Sequence, residues 1–537
     1  MNAPRHRHRR PGAAARIRGQ ALVLTVALLG VLCVGALLLF NTGQTVNAKV
    51  RLVNATDAAA YSVAAEQARA MNFAAYMNRG RVANEVAIAQ AVSMHSWVNN
   101  LHTHAGMFEF VFARLSEIPL IGVAFVPLRA VYLAVKEVLN AVRTPALMPV
   151  LEGMVQALDT LDGFYADAAA EVIANATSLD RAELAREVLV RNDPAAEFVP
   201  AGRAHLLDTQ LVAARRDFLQ HHHLPERTSA GMDRYRNVVM ESRDQFSRNR
   251  HAKAQIGDSN NYDFSILPVP IGGFELRNEN FIVSEGGTDM VDYDRWAALD
   301  TTSFDIEVEA YLYVGRCIPI VGCVRVRRSL IEVEFKQPMG YGGAQAVTSE
   351  DGQRFRPGIN DDGGFLSLYE PHMYAPYNGV RGPPSWLAEY EPAVTNPVYG
   401  DRNARRGDEY LEDYRGLRPY DDVRSDRAAT LDDGPVFTVY ARSAQDRVRT
   451  SDVAGIGGGA GTDTHLAGAA ADGAYTALAS AQVYFARPVG LERFRRVFRG
   501  GARDREAEAG SLFSPYWQAR LVDTPPASRA ALGIETP

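Results

Sequence analysis

Cys317 and Cys323 stand in the stretch IEVEAYLYVGRCIPIVGCVRVRRSLIEVEF. Two thiols so close could form a disulfide, remain free, or supply half of a zinc site. No His or Cys nearby completes a four-ligand set. The alternating runs Ile306 to Val314 and Val324 to Phe335, around Pro319 and Gly322, predict a hairpin with one cysteine on each arm. That geometry favours the disulfide, provided the Cα atoms come within about 7 Å and the compartment is oxidising. The other chemistry-bearing clusters carry less. The glycines from Gly455 to Gly461 lack the Lys-Ser/Thr of a phosphate loop. His221, His222 and His223 are consecutive and would point in different directions around a helix end, unlike the i, i+4 pair of a zinc protease. Asp361 and Asp362 before Gly363 lack the ligand spacing of a calcium loop. Arg406 to Asp408 is a three-residue RGD within an Arg/Asp-rich loop. No G-x-S-x-G, S-x-x-K or Cys/His pair stands in a catalytic context. No catalytic, cofactor-binding or metal-ligating residue is therefore assigned, and no cofactor is expected.

The strongest element precedes all of these. From Gln20 to Phe40 the chain carries no charge, and a helix of that length spans about 30 Å, the hydrocarbon thickness of a bilayer. A signal peptide would have a shorter apolar run and a small-x-small cleavage site, which NTGQTVNAK does not supply. Ahead of it, residues 1–19 contain Arg5, Arg7, Arg9, Arg10, Arg16 and Arg18 and no acid. The positive-inside rule then keeps the N-terminus in the cytoplasm and the bulk of the chain outside. The net charge of −6 includes this basic leader, so the remainder is more acidic still and offers no field for nucleic acid. Lysine occurs only at Lys49, Lys136, Lys253 and Lys336, an arginine bias read as bacterial.

The predicted fold class is α+β: a single N-terminal transmembrane helix extends into a mainly helical region and is followed by a β-rich antiparallel ectodomain with long irregular loops. The predicted boundaries are a leader over 1–19, the span over 20–40, helices over 41–255 and strands over 256–537, with an irregular insert at about 340–430. Nearly 500 residues outside the span call for more than one core. After the span, alanines such as Ala58, Ala59, Ala60 and Ala64 continue one helix, with Gly80 the expected break. Its small residues could pack on the chain's own domain or on another subunit. Met107 to Val135 is unusually apolar, interrupted by Arg114, Glu117 and Arg129 and kinked by Pro119 and Pro127. It is expected as buried helix pairs or an interfacial hairpin, with a second span as the alternative. Strands are expected at Phe274 to Val283, Phe304 to Val314, Val324 to Phe335, Val436 to Ala441 and Ala481 to Phe485. Phe513, Tyr516 and Trp517 are expected to dock the C-terminus.

Taken together, Arg18, Gly19, the apolar span and Leu52, Asn54, Ala55, Asp57, Ala58, Ala59, Ala60, Ala64 and Ala65 resemble the head of TadG-like proteins of tight-adherence (Flp) pilus systems. The resemblance covers about residues 16 to 70, and SAQVYFARP and LFSPYWQARL are loosely similar to the ends of large proteins with that head. It implies a non-enzymatic, membrane-anchored accessory or structural part of a Tad/Flp-type pilus assembly or related secretion system. Its partners would be inner-membrane lipid and other assembly proteins, with homo-oligomerisation through the N-terminal helix in view. The resemblance also places prepilin-type processing at Gly19 and Gln20. The related TadE and TadF subunits carry a glutamate in the apolar segment where this chain has Leu24, so a retained anchor is expected. Longer TadG members have a von Willebrand A domain with a D-x-S-x-S site, of which DFSIL at Asp263 has only the first half. The competing expectation is a membrane-anchored extracytoplasmic enzyme whose site converges from loops of the β-rich region.

Overall fold

The computed structural model describes residues 18–119, 122–178, 180–223, 230–256, 260–265, 272–292, 295–318, 322–349, 352–357, 417–424, 433–444, 447–450, 473–486 and 510–534. Helix α1 runs without interruption over Arg18–Ser116, 99 residues. No proline falls inside it, and alanine is its commonest residue, so propensity helps carry it through both its apolar and its mixed portions. The break expected at Gly80 does not occur. A side chain there would meet the Tyr165 ring at 2.8 Å, so this glycine makes room for an aromatic neighbour instead of ending the helix.

Helix α2 (Val126–Ala141) passes through a π-helical turn at Val142–Leu147, which contains Pro145, into α3 (Met148–Ala176), and α4 covers Asp180–Asn192. Strand β1 (Ala196–Phe198) and helix α5 (Pro200–Ala204) lead through π-helical turns to β2 (Leu219–His222). Helices α6 (Ala230–Ser242) and α7 (Gln245–Arg248) follow. Asp244 caps α7, accepting from the Phe246 and Ser247 amides at 3.2 Å each. Helices give way to strands between Arg248 and Ala252, where β3 (Ala252–Gln255) begins.

The chain forms two compact units, each interleaved in sequence: Met1–Phe73, Val172–Gln220 and Val423–Pro537 make the first, Ala74–Glu171 and His221–Asp422 the second. Both therefore draw helices and strands from either side of residue 255. In the first unit, β1, β10 (Asp433–Ala444), β11 (Ala474–Phe485) and β12 (Trp517–Val522) form an antiparallel sheet in that order. Phe437, Val439 and Ala441 are buried with Ala477, Ala479, Ala481 and Val483 of the neighbouring strand. The alternation along each strand hides one row of side chains. Helix α8 (Pro526–Ala531) closes this part. Trp517 packs edge-on against Phe218 and Phe485, with ring centroids 5.7 and 5.3 Å away. The C-terminal aromatic docking is thus observed.

The second unit holds β3 and β4 (Asn260–Ser265), both paired with β5 (Gly272–Asp292), then β6 (Arg295–Ile318), β7 (Gly322–Ser349) and β8 (Gly352–Pro357), all antiparallel. The short strand β9 is Tyr420–Val423. Every strand expected from the sequence lies inside one of these, but β5, β6 and β7 run on for 21, 24 and 28 residues. Irregular structure expected from about 340 is regular strand through Ser349 and again over Gly352–Pro357. The remainder of that insert, apart from 417–424, lies outside the described residues, as do Gly455–Gly461, Asp361–Gly363 and Arg406–Asp408.

The extension of β7 has a steric cause. At Gly342 a Cβ would lie 1.9 Å from the Ser96 carbonyl oxygen of α1, and at Gly340 only 2.8 Å from the His104 Cβ. The glycines that read as loop formers are the places where a strand meets a helix backbone. Gly342→Val should therefore destabilise the protein by about 1–3 kcal/mol or more through overpacking. The lowered midpoint would appear in thermal unfolding of the full-length protein in detergent, and an unchanged midpoint would contradict this contact.

Candidate functional site

The function-bearing element is α1, which meets two kinds of surroundings along its length. Its apolar stretch is long and apolar enough to cross a membrane, and none of its side chains there is buried by the rest of the chain. Leu22, Leu24, Val31 and Leu39 are all more than two-thirds exposed. A helix that is apolar on all sides and uncovered is built for lipid. The one hydroxyl near its start, Thr25 Oγ1, donates to the Ala21 carbonyl at 2.6 Å, which satisfies it without water. Cys33 is a free thiol on this exposed surface. Arg18, Gly19 and Gln20 lie in the first turn of the same helix. No boundary in the fold separates them from the span.

From Asn41 onward one face of α1 becomes buried. Asn41, Thr45, Leu52, Ala55, Thr56, Ala59, Ala60, Val63, Ala64, Gln67, Ala68 and Met71 follow the three- and four-residue spacing of a single helical stripe in the first unit. The family-like residues divide along this line. Leu52, Ala55, Ala59 and Ala60 are at 0 % exposure, Asn54 faces solvent, and Asp57 and Ala58 are half-buried. Partial burial raises the Asp57 carboxyl above its usual range. Of the two packing modes left open by the sequence, these alanines serve the intramolecular one.

Polar contacts lock the helix in place. The Lys49 ammonium donates to the Thr476 carbonyl, and Arg181 pairs with Glu66 at 3.1 Å. The Asn72 side-chain amide both donates to the Trp517 carbonyl, at 2.8 Å, and accepts from the Trp517 amide, at 2.9 Å. It bonds the edge strand β12 as a strand residue would.

The second unit contains a buried charged cluster that no motif signalled. Arg81, at 0 % exposure, reaches Asp162 at 3.3 Å and donates to the carbonyls of Pro419 and Arg418 at 3.0 and 2.7 Å. Its guanidinium also lies 5.1 Å from the Tyr235 ring centroid. One turn further, Glu85 accepts from Trp296 Nε1 at 2.7 Å. Burial, reinforced by the Asp162 carboxylate, pushes the Glu85 carboxyl up to about 8. A protonated buried carboxyl is the form expected in a general acid. Arg81, Glu85, Asp162, Tyr235 and Trp296 are each at 2 % exposure or less, so this arrangement holds segments together in the interior of the unit.

A second buried network joins α1 to the long sheet. Ser93 meets the Thr288 hydroxyl at 2.6 Å, Ser96 bonds Asp300, and Asn100 donates to Thr302 at 2.8 Å. Arg250 completes it with two bonds to Asp300 at 2.6 and 2.9 Å. Burial outweighs that guanidinium and raises the Asp300 carboxyl.

The histidine triplet lies on strand β2 and its end, not at a helix terminus. Strand alternation places the rings of His221 and His223 5.7 Å apart on one side. His222 stacks on Tyr420 at 5.0 Å, and His221 Nδ1 meets Asp421 Oδ1 at 3.0 Å. Among the described residues no group of three or more His, Cys, Asp or Glu could hold a metal ion. The backbone register pairs Cys317 directly with Cys323 across β6 and β7, which the expected hairpin required. The sequence could not reveal the two networks. Their partners are separated by 50 to 338 positions, and only the polar residues interrupting the α1 stripe at Arg81, Glu85, Ser93 and Ser96 hinted at them.

One comparison fits this geometry. Residues 19–66 match the family model described as putative Flp pilus-assembly TadE/G-like. The resemblance carried by Gly19, Leu52, Asn54, Asp57 and the alanines is thereby borne out over the part of α1 that runs from its uncovered apolar stretch into the first unit. No curated protein and no solved structure matches the chain.

Two outcomes follow from the buried groups. Arg81→Leu should cost about 3–5 kcal/mol, because it strands the Asp162 carboxylate in the interior; a loss below about 1 kcal/mol in chemical unfolding would contradict the pairing. The second concerns pH. Burial pushes His95, His102 and His104 down to about 4, with Arg143 adding to the effect at His95 and His102. Unfolded histidines titrate near 6.5, so between about 6.5 and 4 the unfolded chain binds protons that the folded chain refuses. Stability then falls on acidification through that window. Glu85 acts oppositely, since the folded chain retains a proton from about 4.5 to about 8, and stability declines as pH rises across that range. Unfolding midpoints of the full-length protein should therefore peak near pH 6.5. His95→Gln should flatten the acid limb and Glu85→Gln the alkaline one.

Proposed function

We propose that the protein is a non-enzymatic, membrane-anchored structural or accessory component of a Tad/Flp-type pilus assembly or related secretion apparatus in the bacterial envelope. The observation that carries this reading is the continuity of α1. One unbroken helix joins an uncovered apolar span to a stripe buried in the first unit. A pilin's small-residue helix face must stay available for the next subunit, whereas here Ala55, Ala59, Ala60 and Ala64 are already occupied. Leu24, at a position where a glutamate would seek a neighbouring subunit's terminal amine, is simply lipid-facing in character and exposed. Both features support a retained anchor over a fibre subunit.

In this reading the Arg-rich leader stays in the cytoplasm, the span sits in the inner membrane, and both compact units lie on its outer side. Partners are other assembly proteins. The face of α1 carrying Val46, Val50, Val53 and Tyr61 remains exposed just beyond the span and is where a homo-oligomer or a partner helix would pack. The sealed state of the Arg81, Glu85 and Asp162 cluster supports the non-enzymatic part over the anchored-enzyme alternative. On the outer side the opposed Cys317 and Cys323 would be oxidised, because directly paired antiparallel residues have Cα atoms about 4.5–5.5 Å apart, within the range a disulfide spans.

The deciding measurement is the mass of the N-terminal peptide from native membranes. An intact leader is expected, and a chain beginning at Gln20 would instead indicate prepilin-type processing and sink the anchor reading. In the same sample, Cys317 and Cys323 should resist alkylation until reduced, while immediate labelling of both would exclude the disulfide. Full-length protein extracted gently should co-purify with pilus-assembly ATPase and platform proteins. A pull-down that contains none of them would count against the assembly role.

A further inference from the structure

Helix α2 has no buried residue, so the stretch from Met107 to Val135 does not form the buried helix pair expected of it. Leu128, Val131, Val135 and Val138 of α2, and Val142 just after it, recur at steps of three and four, and all are more than 40 % exposed. In α3 the same steps separate Val150, Met154, Ala157, Leu161, Phe164 and Ala168, none of which is buried. Steps of three and four average 3.5 residues per turn, the repeat of a helix wound against another helix. The π-helical turn between the two runs keeps them in line. From Val142 to Val150 is a step of eight, which at about 100° per residue would overshoot two turns by about 80°. The wider turn over Val142–Leu147 absorbs that excess. The inward side shows the same phase. Tyr132, one place after Val131, stacks on Phe108 at 4.8 Å. Arg143, one place after Val142, donates to Asn99 at 2.6 Å. Leu151 and Val155, one place after Val150 and Met154, are buried.

We propose that this seam, from Leu128 to Ala168, is where a second copy of the chain packs, the two α2 to α3 segments forming a parallel coiled coil. The pairing goes beyond the accessory reading and rests on the seam alone, while its parallel direction rests on the membrane anchor of that reading. Three observations select a second copy. First, at about 1.5 Å per residue the seam is about 60 Å long, and a helix about 10 Å wide then offers roughly 600 Å² per copy. The total of about 1,200 Å² is where specific interfaces begin.

Secondly, self-pairing brings identical helix flanks together, so charges of one sign beside the seam would repel. Its outer flank carries Ala134, Ala141, Gly153 and Thr160, all small, uncharged and exposed, with Asp167 near the end the exception. Glu137 and Glu152 stand about 130° or more round the helix from the midline of the seam, at about 100° per residue. Thirdly, α1 is unbroken from the span to Ser116, and Arg129 of α2 pairs with Glu109 of α1 at 3.3 Å. Copies anchored in one membrane therefore carry their seams at one height and in one direction, as in-register parallel pairing requires.

The test uses the full-length protein in native membranes, with the photo-crosslinker p-benzoylphenylalanine at position 135 or at position 161. Irradiation should link two chains, and peptide mass mapping should place each adduct within about one helical turn of the same position in the partner. Extracted in mild detergent, the protein should show the mass of two chains by light scattering. The double substitution Val135→Glu, Leu161→Glu should weaken dimerisation about ten-fold or more, because pairing would bury unpaired charge. It should leave circular dichroism and the thermal midpoint unchanged, since both side chains are exposed. Glu152→Arg, away from the seam, should leave the dimer intact. An unaltered dimer in the double variant, or no interchain adduct at either position, would overturn the self-pairing even where the N-terminal leader is intact. Adducts running from 135 to the region around 161 would overturn the parallel direction and the shared membrane orientation behind it.

Discussion

Helix α1 must satisfy its backbone amides within itself while its side chains pass from an uncovered apolar stretch to a protein interior. That single constraint organises the molecule. In the apolar portion no neighbour is needed, because lipid accepts a helix that is greasy on every side. Past Asn41 the same backbone continues, but one face must now be hidden from water. Small residues at Ala55, Ala59 and Ala60 let the first unit approach closely. The second unit draws on the same helix beyond Phe73. There the stripe turns polar, and Arg81, Glu85, Ser93, Ser96 and Asn100 carry the contacts.

Burying so many charged groups is costly unless each finds a partner. In the second unit Arg81 is paired with Asp162, Arg418 with Asp159 and Asp162, and Arg250 with Asp300. Such matches hold in one register only, since sliding α1 by a single turn would leave Ser93, Ser96 and Asn100 opposite the wrong hydroxyls. An apolar interface would tolerate that slip more easily. The polar zipper therefore specifies where α1 sits on β5, β6 and β7 as much as it stabilises the contact.

The legible parts of the sequence were those with local periodicity. The membrane span, the helices after it and the cores of all five expected strands were readable from alternation or helical spacing alone. The family resemblance rested on a short stretch in which spacing and residue type coincide. What escaped reading was non-local. Gly340 and Gly342 look like loop residues until Ser96 and His104 are known to lie against them. The histidine triplet looks like a helix end, because only its pairing with the distant segment around Tyr420 and Asp421 makes it strand-like. The apolar run from Met107 was visible as apolar, but whether its face points in or out depends on Tyr132 meeting Phe108 and Phe112. The buried networks join residues 50 positions or more apart, beyond the reach of any local pattern.

The pair of hydrogen bonds between Asn72 and Trp517 has a consequence in time. It joins a residue of the first helix to one synthesised 445 positions later, and the first unit as a whole is assembled from three segments, the last of which begins at Val423. During synthesis the span would therefore be in the bilayer long before β12 exists to cover the adjoining stripe. The second unit, whose segments end at Asp422, has all its residues earlier and can close first. Until then Leu52, Val63 and Met71 lack the strands that cover them, a state in which unpaired apolar surface invites misassociation. Maturation of this protein is thus bound to a waiting period, and whatever shields that helix meanwhile acts on the nascent chain rather than on the finished fold.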